Sequence, residues 1–346
     1  MLQPFYLARP HVIAWVLLAG WSAALLNARD KGQPPPWWLL GLMLVWTNAH
    51  ASFLIGFVIA AAIGLDDCIA HRWSLDKVKR WALFGIASLL VSLVNANGAH
   101  GLLYPLNVSG MSSLPAITEW QPSTPGMTPF FYAVLIPALG AILLKRAKFS
   151  LGELLLLLLT LFMAFTHIRH QPVFAILAVL IVTPKFAGPG RASAPKLSSP
   201  LAWAGGAALI ALAIAGVRAA VPLTPKETYS NPRGLIAHVP PELRSQPVIN
   251  EYSLGGPLIL AGIKPFIDGR SDMYGDAFTG EYLKIVDGDR PAFEKAVKRY
   301  GIKWTMLQKG NRLVEVLDAS PDWKRIYSDR VGVIHVRRGP PTPPAA

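Results

Sequence analysis

The sequence contains few charged residues and only one cysteine. Charged side chains make up 15% of its 346 residues, against about 25% in soluble domains, whereas 52% of the residues are hydrophobic. This composition argues against an ordinary water-soluble fold along the whole chain. The single cysteine, Cys68, excludes an intramolecular disulfide and a zinc site built from cysteines. We expect it to be a passive apolar side chain.

Apolar runs separated by short polar breaks fill the first 221 residues. They cover 11–27, 37–65, 81–94, 129–144, 151–165, 173–182 and 201–221. The run 37–65 is interrupted by the polar residues of 47–52, which predicts two short helices meeting at an elbow. We therefore predict an α-helical polytopic membrane bundle of about eight spans, followed by a C-terminal extracytoplasmic α/β domain.

Most of the lysines and arginines of this half lie in four of the breaks, which indicates an orientation. They are Arg29 and Lys31; Arg72, Lys77, Lys79 and Arg80; Lys145, Arg146 and Lys148; and Lys185, Arg191 and Lys196. The longest break, 97–127, contains none. The positive-inside rule places the four basic breaks in the cytoplasm and the C-terminal domain outside. Outside these breaks the sequence has no stripe of basic side chains interleaved with aromatic ones, so nucleic acid is not expected as a partner.

The same orientation starts the chain on the outer side, without a preceding helix to carry it there. Either residues 1–10 are translocated as a short tail, or the chain lacks upstream helices; we favour the second.

Beyond residue 225 the sequence alternates strand and helix patterns. Strands are predicted at 247–250, 264–267, 304–307, 323–327 and 331–336, with helices at 255–261, 276–286, 291–300 and 311–317. This order indicates a small α/β sandwich with a partly parallel sheet. The domain boundaries become 1–222 for the membrane part, 223–245 for a linker, 246–338 for the α/β domain and 339–346 for a disordered, proline-rich tail.

The predicted orientation gathers polar side chains at the outer face. The turn 166–171 contains His167, Arg169 and His170. The planar guanidinium of Arg169 suits a phosphate group, and the two imidazoles could serve phosphate or metal, or simply cap a helix.

Three further outer breaks contain candidate residues. Glu119 could act as a general base or metal ligand beside Trp120, whose indole offers a face to a sugar ring; a solvated loop acid beside an interfacial tryptophan is the alternative. Asn48 and His50 lie in the helix break, where they either line a cavity or satisfy backbone groups. Asn97 belongs to the same outer face.

In the α/β domain, ligands are expected at the carboxyl ends of strands. Those ends contain Asn250 and Tyr252, and then Asp268, Arg270 and Asp272. The alternating acids could form a divalent-metal or hydroxyl site. An Asp-Gly-Arg turn held by an internal salt bridge is the alternative.

Several of these segments resemble the GT-C glycosyltransferase superfamily of multi-pass bacterial membrane proteins. The likeness rests on 46–53, on Asn-Ala-Asn-Gly at 95–98, on the Glu119-Trp120 loop and on the arginine-containing turn before the seventh span. Residues 250–256 and 266–275 are similar to the extracytoplasmic domain of those proteins. The resemblance implies transfer of a sugar from a polyprenyl-phosphate donor, with a divalent metal ion or basic side chains stabilising the leaving phosphate.

One departure bears on catalysis. The superfamily's usual catalytic carboxylate lies in the first outer loop, and this chain has no acid before Asp30, which the orientation places inside. We therefore expect a bacterial inner-membrane protein that handles a lipid-linked sugar at the periplasmic face, N-terminally shortened, with Glu119 as the remaining acid. Asn250 and 268–272 would close the cavity. The alternative is a non-catalytic scaffold or assembly protein that retains the fold.

Overall fold

A computed structural model describes residues 10–186, 200–221 and 226–338. The chain divides into two compact units, Met1–Leu197 and Ser198–Ala346. The described residues are mostly helical, with one small sheet near the C-terminus. The predicted disordered tail 339–346, the first nine residues, and Arg191 and Lys196 of the fourth basic break lie outside the described residues.

The first unit contains eight α-helices among its described residues. They are α1 (His11–Asp30), α2 (Leu39–Ala49), α3 (Leu54–Ala70), α4 (Leu75–Ser92), α5 (His100–Ser109), α6 (Pro129–Leu144), α7 (Leu151–Thr166) and α8 (Gln171–Phe186). Seven of these correspond to the predicted apolar runs. The elbow is also present, because His50 is extended between α2 and a short 3-10 turn, Ala51–Phe53, that leads into α3.

Helix α5 corrects the interpretation of 97–127 as a plain loop. This break contains α5 and two 3-10 turns, Leu114–Ala116 and Thr118–Trp120. The helix is short and contains Pro105, and none of its residues is buried. It therefore lacks the apolar periodicity that reveals a helix in a sequence.

Helices α1, α3, α7 and α8 pack against one another. Large aromatic side chains fill the core between α1, α2 and α4, and Trp21, Trp46 and Phe84 are all fully buried. The backbones of α3 and α7 meet at Gly152, where a Cβ atom would lie 2.1 Å from the carbonyl oxygen of Ala62. Only glycine permits this approach.

The sides of the unit are apolar and exposed. On α6, Phe130, Ile136 and Leu143 are 69%, 66% and 76% exposed. Two segments, His11–Asp30 and Ala51–Ala70, are long and apolar enough to cross a membrane, and shorter apolar helices lie at Leu39–Ala49, Pro129–Leu144, Leu151–Thr166 and Ala208–Ala220. Eight complete spans are not confirmed, so the polytopic bundle stays a prediction.

The second unit contains α9 (Pro200–Ala220) and an α/β fold. Its other elements are α10 (Arg233–Ala237), β1 (Val248–Asn250), α11 (Gly255–Leu260), α12 (Ser271–Val286), α13 (Arg290–Tyr300), β2 (Trp304–Gln308), α14 (Arg312–Asp318), β3 (Trp323–Ser328) and β4 (Gly332–Arg337). The sheet order is β1-β2-β4-β3. Strands β1 and β2 are parallel and the other pairs antiparallel, so the sheet is partly parallel as predicted.

Both faces of the sheet are buried at β1, β2 and β4, whereas most of the edge strand β3 is exposed. Ile249, Leu307 and Val333 pack with α13 and α14 on one side. Their chain neighbours, Val248, Met306 and Ile334, pack with α10 and α11 on the other. This alternation is the period of two that a strand imposes.

The strand predicted at 264–267 does not form. Pro265 has no N–H to offer a ladder, and the buried side chain of Asn250 bonds to the backbone instead. Its Oδ1 accepts the N–H of Phe266 at 2.7 Å, and its Nδ2 donates to the carbonyl of Ile267 at 2.8 Å. The segment is therefore held beside β1 as a loop.

Candidate functional site

Two short 3-10 turns meet at one end of the first unit. They are Thr118–Trp120 and Ile168–His170. The N–H of Ile168 donates to the carbonyl of Gln121 at 3.1 Å, and the N–H of Ser123 donates to the carbonyl of Phe165 at 2.8 Å. These backbone bonds bring together four side chains, Trp120, His167, Arg169 and His170, which we call the Trp120 cluster.

The Trp120 ring is the centre of the cluster. The guanidinium carbon of Arg169 lies 4.3 Å from the ring centroid, a cation–π contact that fixes the arginine. The rings of His167 and His170 lie 5.3 and 6.4 Å away. One indole face is therefore covered by Arg169, and that face is not offered to a sugar ring.

The helix break and the start of α1 each add one imidazole. The rings of His11 and His50 are 6.4 Å apart. Burial lowers the pKa of His50 to about 4, and the charges of Arg169 and His11 act in the same direction. Burial, with Arg169 and His167, also lowers the pKa of His170 to about 4. Both imidazoles are thus uncharged at neutral pH, beside a charged guanidinium.

Hydrogen bonds assign the roles of ring nitrogens in two of these histidines. Nδ1 of His50 accepts the backbone N–H of Ser52 at 3.1 Å, so the proton is on Nε2. Nδ1 of His167 lies 2.7 Å from the carbonyl of Trp120 and must donate to it. Within the described residues, Nδ1 of His170 is buried without a hydrogen-bond partner. The cluster therefore offers both donors and acceptors to a ligand.

The other predicted residues of the first unit have local roles. Glu119 is half-buried in the same turn as Trp120. Nδ2 of Asn48 donates to the carbonyls of Leu44 and Val94 at 2.9 and 2.8 Å, which ties α2 to the end of α4. Asn97 is exposed, and its N–H donates to Oδ1 of Asn95 at 2.8 Å.

In the second unit, the predicted residues are engaged in holding loops. Asn250 is fully buried and bonds to the segment 266–267. The N–H of Tyr252 donates to Oη of Tyr282 at 2.8 Å. Asp272 is exposed.

Asp268 and Arg270 form the internal salt bridge that was the alternative to a metal or hydroxyl site in the Asp-Gly-Arg turn. Oδ2 of Asp268 accepts from Nη2 of Arg270 at 2.6 Å and from the hydroxyl of Tyr274 at 2.9 Å. The bond from Arg270 lowers the pKa of Asp268 despite burial. The described residues contain no group of three His, Cys, Asp or Glu side chains placed to hold a metal ion.

A buried network of charges, which the sequence did not reveal, joins four helices at the opposite end of the first unit. Arg29 contacts Asp66 at 3.1 Å and Glu153 at 2.9 Å, and Lys185 contacts Glu153 at 2.8 Å. We call these four residues the Arg29 network. The only signals were two acids, Asp66 and Asp67, closing an apolar helix, and the spacing of Ser150 and Glu153, which forms a capping box.

No protein-family model matches this chain. No curated protein matches its sequence. The site therefore has to be interpreted from its own geometry.

Proposed function

We propose that the first unit lies in a bacterial inner membrane and binds the phosphate of a polyprenyl-phosphate-linked sugar at the Trp120 cluster, on the periplasmic face. The observation that carries this proposal is Arg169, held on the Trp120 ring beside the imidazoles of His50 and His170, which are uncharged at pH 7. A fixed guanidinium bonds two phosphate oxygens at once. The neutral imidazoles supply hydrogen bonds without repelling the arginine.

The spacing of the polar ends supports the membrane part of the proposal. Helix α1 begins at His11 near the Trp120 cluster and reaches Arg29 in the network. At 1.5 Å per residue these ends are roughly 27 Å apart, close to the roughly 30 Å hydrocarbon thickness of a bilayer. The exposed apolar sides lie between them. The basic breaks beside the Arg29 network favour the cytoplasm for that end.

The proposed chemistry is transfer of the sugar to an acceptor hydroxyl. The bond between the anomeric carbon and the phosphate oxygen breaks, and a new bond to the acceptor oxygen forms. Glu119 takes the hydroxyl proton as general base. The polyprenyl phosphate leaves with its negative charge facing Arg169.

A second candidate function is a non-catalytic scaffold or assembly protein. It is favoured by the structural bonds of Asn48, Asn250 and Asp268, three residues expected to line a cavity. Ligand binding and transfer have to be measured separately, because a scaffold could retain the first and lack the second.

The binding experiment compares polyprenyl phosphate with the uncharged polyprenol in detergent-solubilised full-length protein. We expect tighter binding of the phosphate, and a loss of about tenfold or more on Arg169→Gln, since a charge-assisted bond is removed. Arg146→Gln, an exposed arginine in a basic break, is the matched control. Equal binding of phosphate and alcohol, or an unchanged affinity in a folded Arg169→Gln protein, would overturn the proposal.

Transfer is tested with Glu119→Gln. This variant should bind polyprenyl phosphate as the wild type does and lose transfer of the sugar to an acceptor. If the wild type binds the phosphate but transfers no sugar from any polyprenyl-linked donor, the scaffold function is the correct one.

A further inference from the structure

The turn between α3 and α4 leaves two large apolar side chains exposed. Trp73 and Leu75 are 59% and 67% exposed. Arg72 and Trp73 have φ angles of 51° and 57°, in the left-handed region that glycine usually occupies after a helix. Their N–H groups bond to the carbonyls of Ile69 and Cys68, so the turn is ordered although its backbone is strained. Retained strain of this kind is concentrated at binding surfaces, which points to a function for the exposed indole.

Three exposed cations adjoin this turn, Lys31, Arg72 and Lys79. Among the described residues, none of the three pairs with a carboxylate. Nζ of Lys77 donates to the carbonyl of Gly32 at 2.9 Å. This bond holds the residues after α1 against the first turn of α4 and so brings Lys31 close to the turn.

The exposed acids of the same region are already paired. Asp30 contacts Arg29 at 2.7 Å, and Asp76 contacts Arg80 at 2.8 Å. Because each acid is matched by a cation, the three other cations leave this surface positive. It therefore suits an anionic partner.

The exposed side of α4 continues from a cation into an apolar stripe. One face of the helix carries, at intervals of three or four residues, Leu75, Lys79, Leu83, Ile86 and Leu90. The last three are between 56% and 59% exposed. Side chains of a helix lean toward its N-terminus, so the Lys79 stem extends away from the apolar stripe and toward the level of Trp73.

In the proposed orientation this turn is cytoplasmic and the apolar stripe faces the acyl chains of the bilayer. A lysine at the edge of such a stripe reaches the level of the lipid headgroups, where tryptophan side chains are also enriched. An acidic protein would complement the cations alone, whereas a lipid complements the cations and the apolar stripe together.

We propose that the turn 71–75, with Lys31 and Lys79, binds an anionic phospholipid of the cytoplasmic leaflet. The lipid phosphate lies among the three cations, Trp73 packs against the glycerol region, and the acyl chains follow the apolar stripe of α4. Clusters of lysine and arginine beside a membrane helix attract the anionic lipids of that leaflet. The proposal rests on the membrane location that is part of the proposed function, but not on ligand binding at the Trp120 cluster.

The test compares phosphatidylglycerol with zwitterionic phosphatidylcholine of the same acyl chains. Native mass spectrometry of the full-length protein in detergent measures the affinity of the first bound lipid. We expect phosphatidylglycerol to bind at least about tenfold more tightly. Arg72→Gln and Lys79→Gln should each weaken its binding about fivefold, the effect of one cation near an anionic headgroup. Trp73→Ala should weaken the binding of both lipids.

Two further variants separate this surface from a general effect of charge and from misfolding. The double variant Lys145→Gln/Arg146→Gln removes two exposed cations from another basic break and should leave the first affinity for phosphatidylglycerol unchanged. Asp76→Asn removes a carboxylate and frees Arg80, so it should tighten phosphatidylglycerol binding by roughly two- to fivefold.

Equal affinities for the two lipids, or equal losses with the Lys145→Gln/Arg146→Gln control, would overturn this inference alone. So would a loss of phosphatidylglycerol binding with Arg169→Gln in place of the Arg72 and Lys79 variants, because the lipid would then occupy the Trp120 cluster. A protein that stays dispersed without detergent and binds neither lipid would overturn the membrane location, and this inference with it.

Discussion

Arg169 affects two imidazoles besides its own contact with Trp120. Its charge contributes to the low pKa of His50 and of His170, after burial in each case. The two histidines come from different turns of the chain, yet one guanidinium acts on both. Burial and this one guanidinium therefore act in the same direction on both imidazoles.

Arg169→Gln should raise the pKa of both His50 and His170. A protonated imidazole is disfavoured beside a cation, so removing the guanidinium stabilises the charged form. Because burial is the larger cause, both values should rise from about 4 but stay below 6.5. NMR titration of the ¹³Cε1 resonances measures this directly. Unchanged values in the folded variant would mean that the arginine is not close to these rings.

Asn250 illustrates how a buried amide can replace a strand pairing. Asn250→Ala should lower the free energy of unfolding by about 2 kcal/mol or more, because two backbone N–H and C=O groups lose their partners inside the protein. Chemical denaturation of the full-length chain, followed by tryptophan fluorescence, measures the change. Gln308→Ala, which removes one exposed bond to Ser253, is the control and should cost less than about 1 kcal/mol. Equal effects would contradict the role assigned to Asn250.

At the scale of elements, the helices and most of the strands follow from the sequence. Apolar runs located seven helices of the first unit, and period-two patterns located β1, β2, β3 and β4. Three differences remain: the predicted strand at 264–267 is absent, and the helices α5 and α10 were not predicted, α10 lying in the stretch 223–245 that was predicted to be a linker. The strand at 264–267 fails because of a side chain 16 residues away, at Asn250, and α5 carries no periodic signal.

The candidate site was predicted only in part, for a related reason. The histidines and Arg169 are adjacent in one turn, so a local pattern revealed them. Their contact with Trp120 across 47 residues, and the pairing of Arg29 with Glu153 across 124 residues, depend on helix packing. No local pattern contains that information.

The close contact between α3 and α7 leads to a prediction about the stability of the first unit. Gly152→Ala should destabilise the first unit by roughly 1–3 kcal/mol, since the new Cβ would overlap the backbone of Ala62. Gly140→Ala in α6, where the space is open, should be neutral or stabilising by up to about 1 kcal/mol. Thermal unfolding in detergent compares the two. A tolerated Gly152→Ala would show that the helices separate easily at this point.

At the scale of the whole chain, the proposed orientation of the first unit in the membrane depends on its two polar ends. Acidic and basic side chains of the Arg29 network occupy one end, and the Trp120 cluster occupies the other. The single buried cysteine, Cys68, makes the orientation accessible to labelling, because its removal leaves a chain without cysteine.

In a Cys68→Ala background, Thr118→Cys and Lys148→Cys place one thiol at each end; both positions are exposed. A membrane-impermeant maleimide added to intact bacterial cells should label the first thiol through the permeable outer membrane. It should label the second only after the inner membrane is opened. Labelling of both from the same side would contradict the positive-inside orientation.

The Arg29 network has a consequence for synthesis. Its residues leave the ribosome in the order Arg29, Asp66, Glu153 and Lys185, and 87 residues separate the two acids. At about 5–20 residues per second, Arg29 and Asp66 wait roughly 4–17 s before Glu153 exists. During that interval the early helices hold an incomplete set of charges. The helices can complete the Arg29 network only after α7 and α8 have been synthesised. The rate of translation therefore sets the earliest time at which this end of the bundle can close.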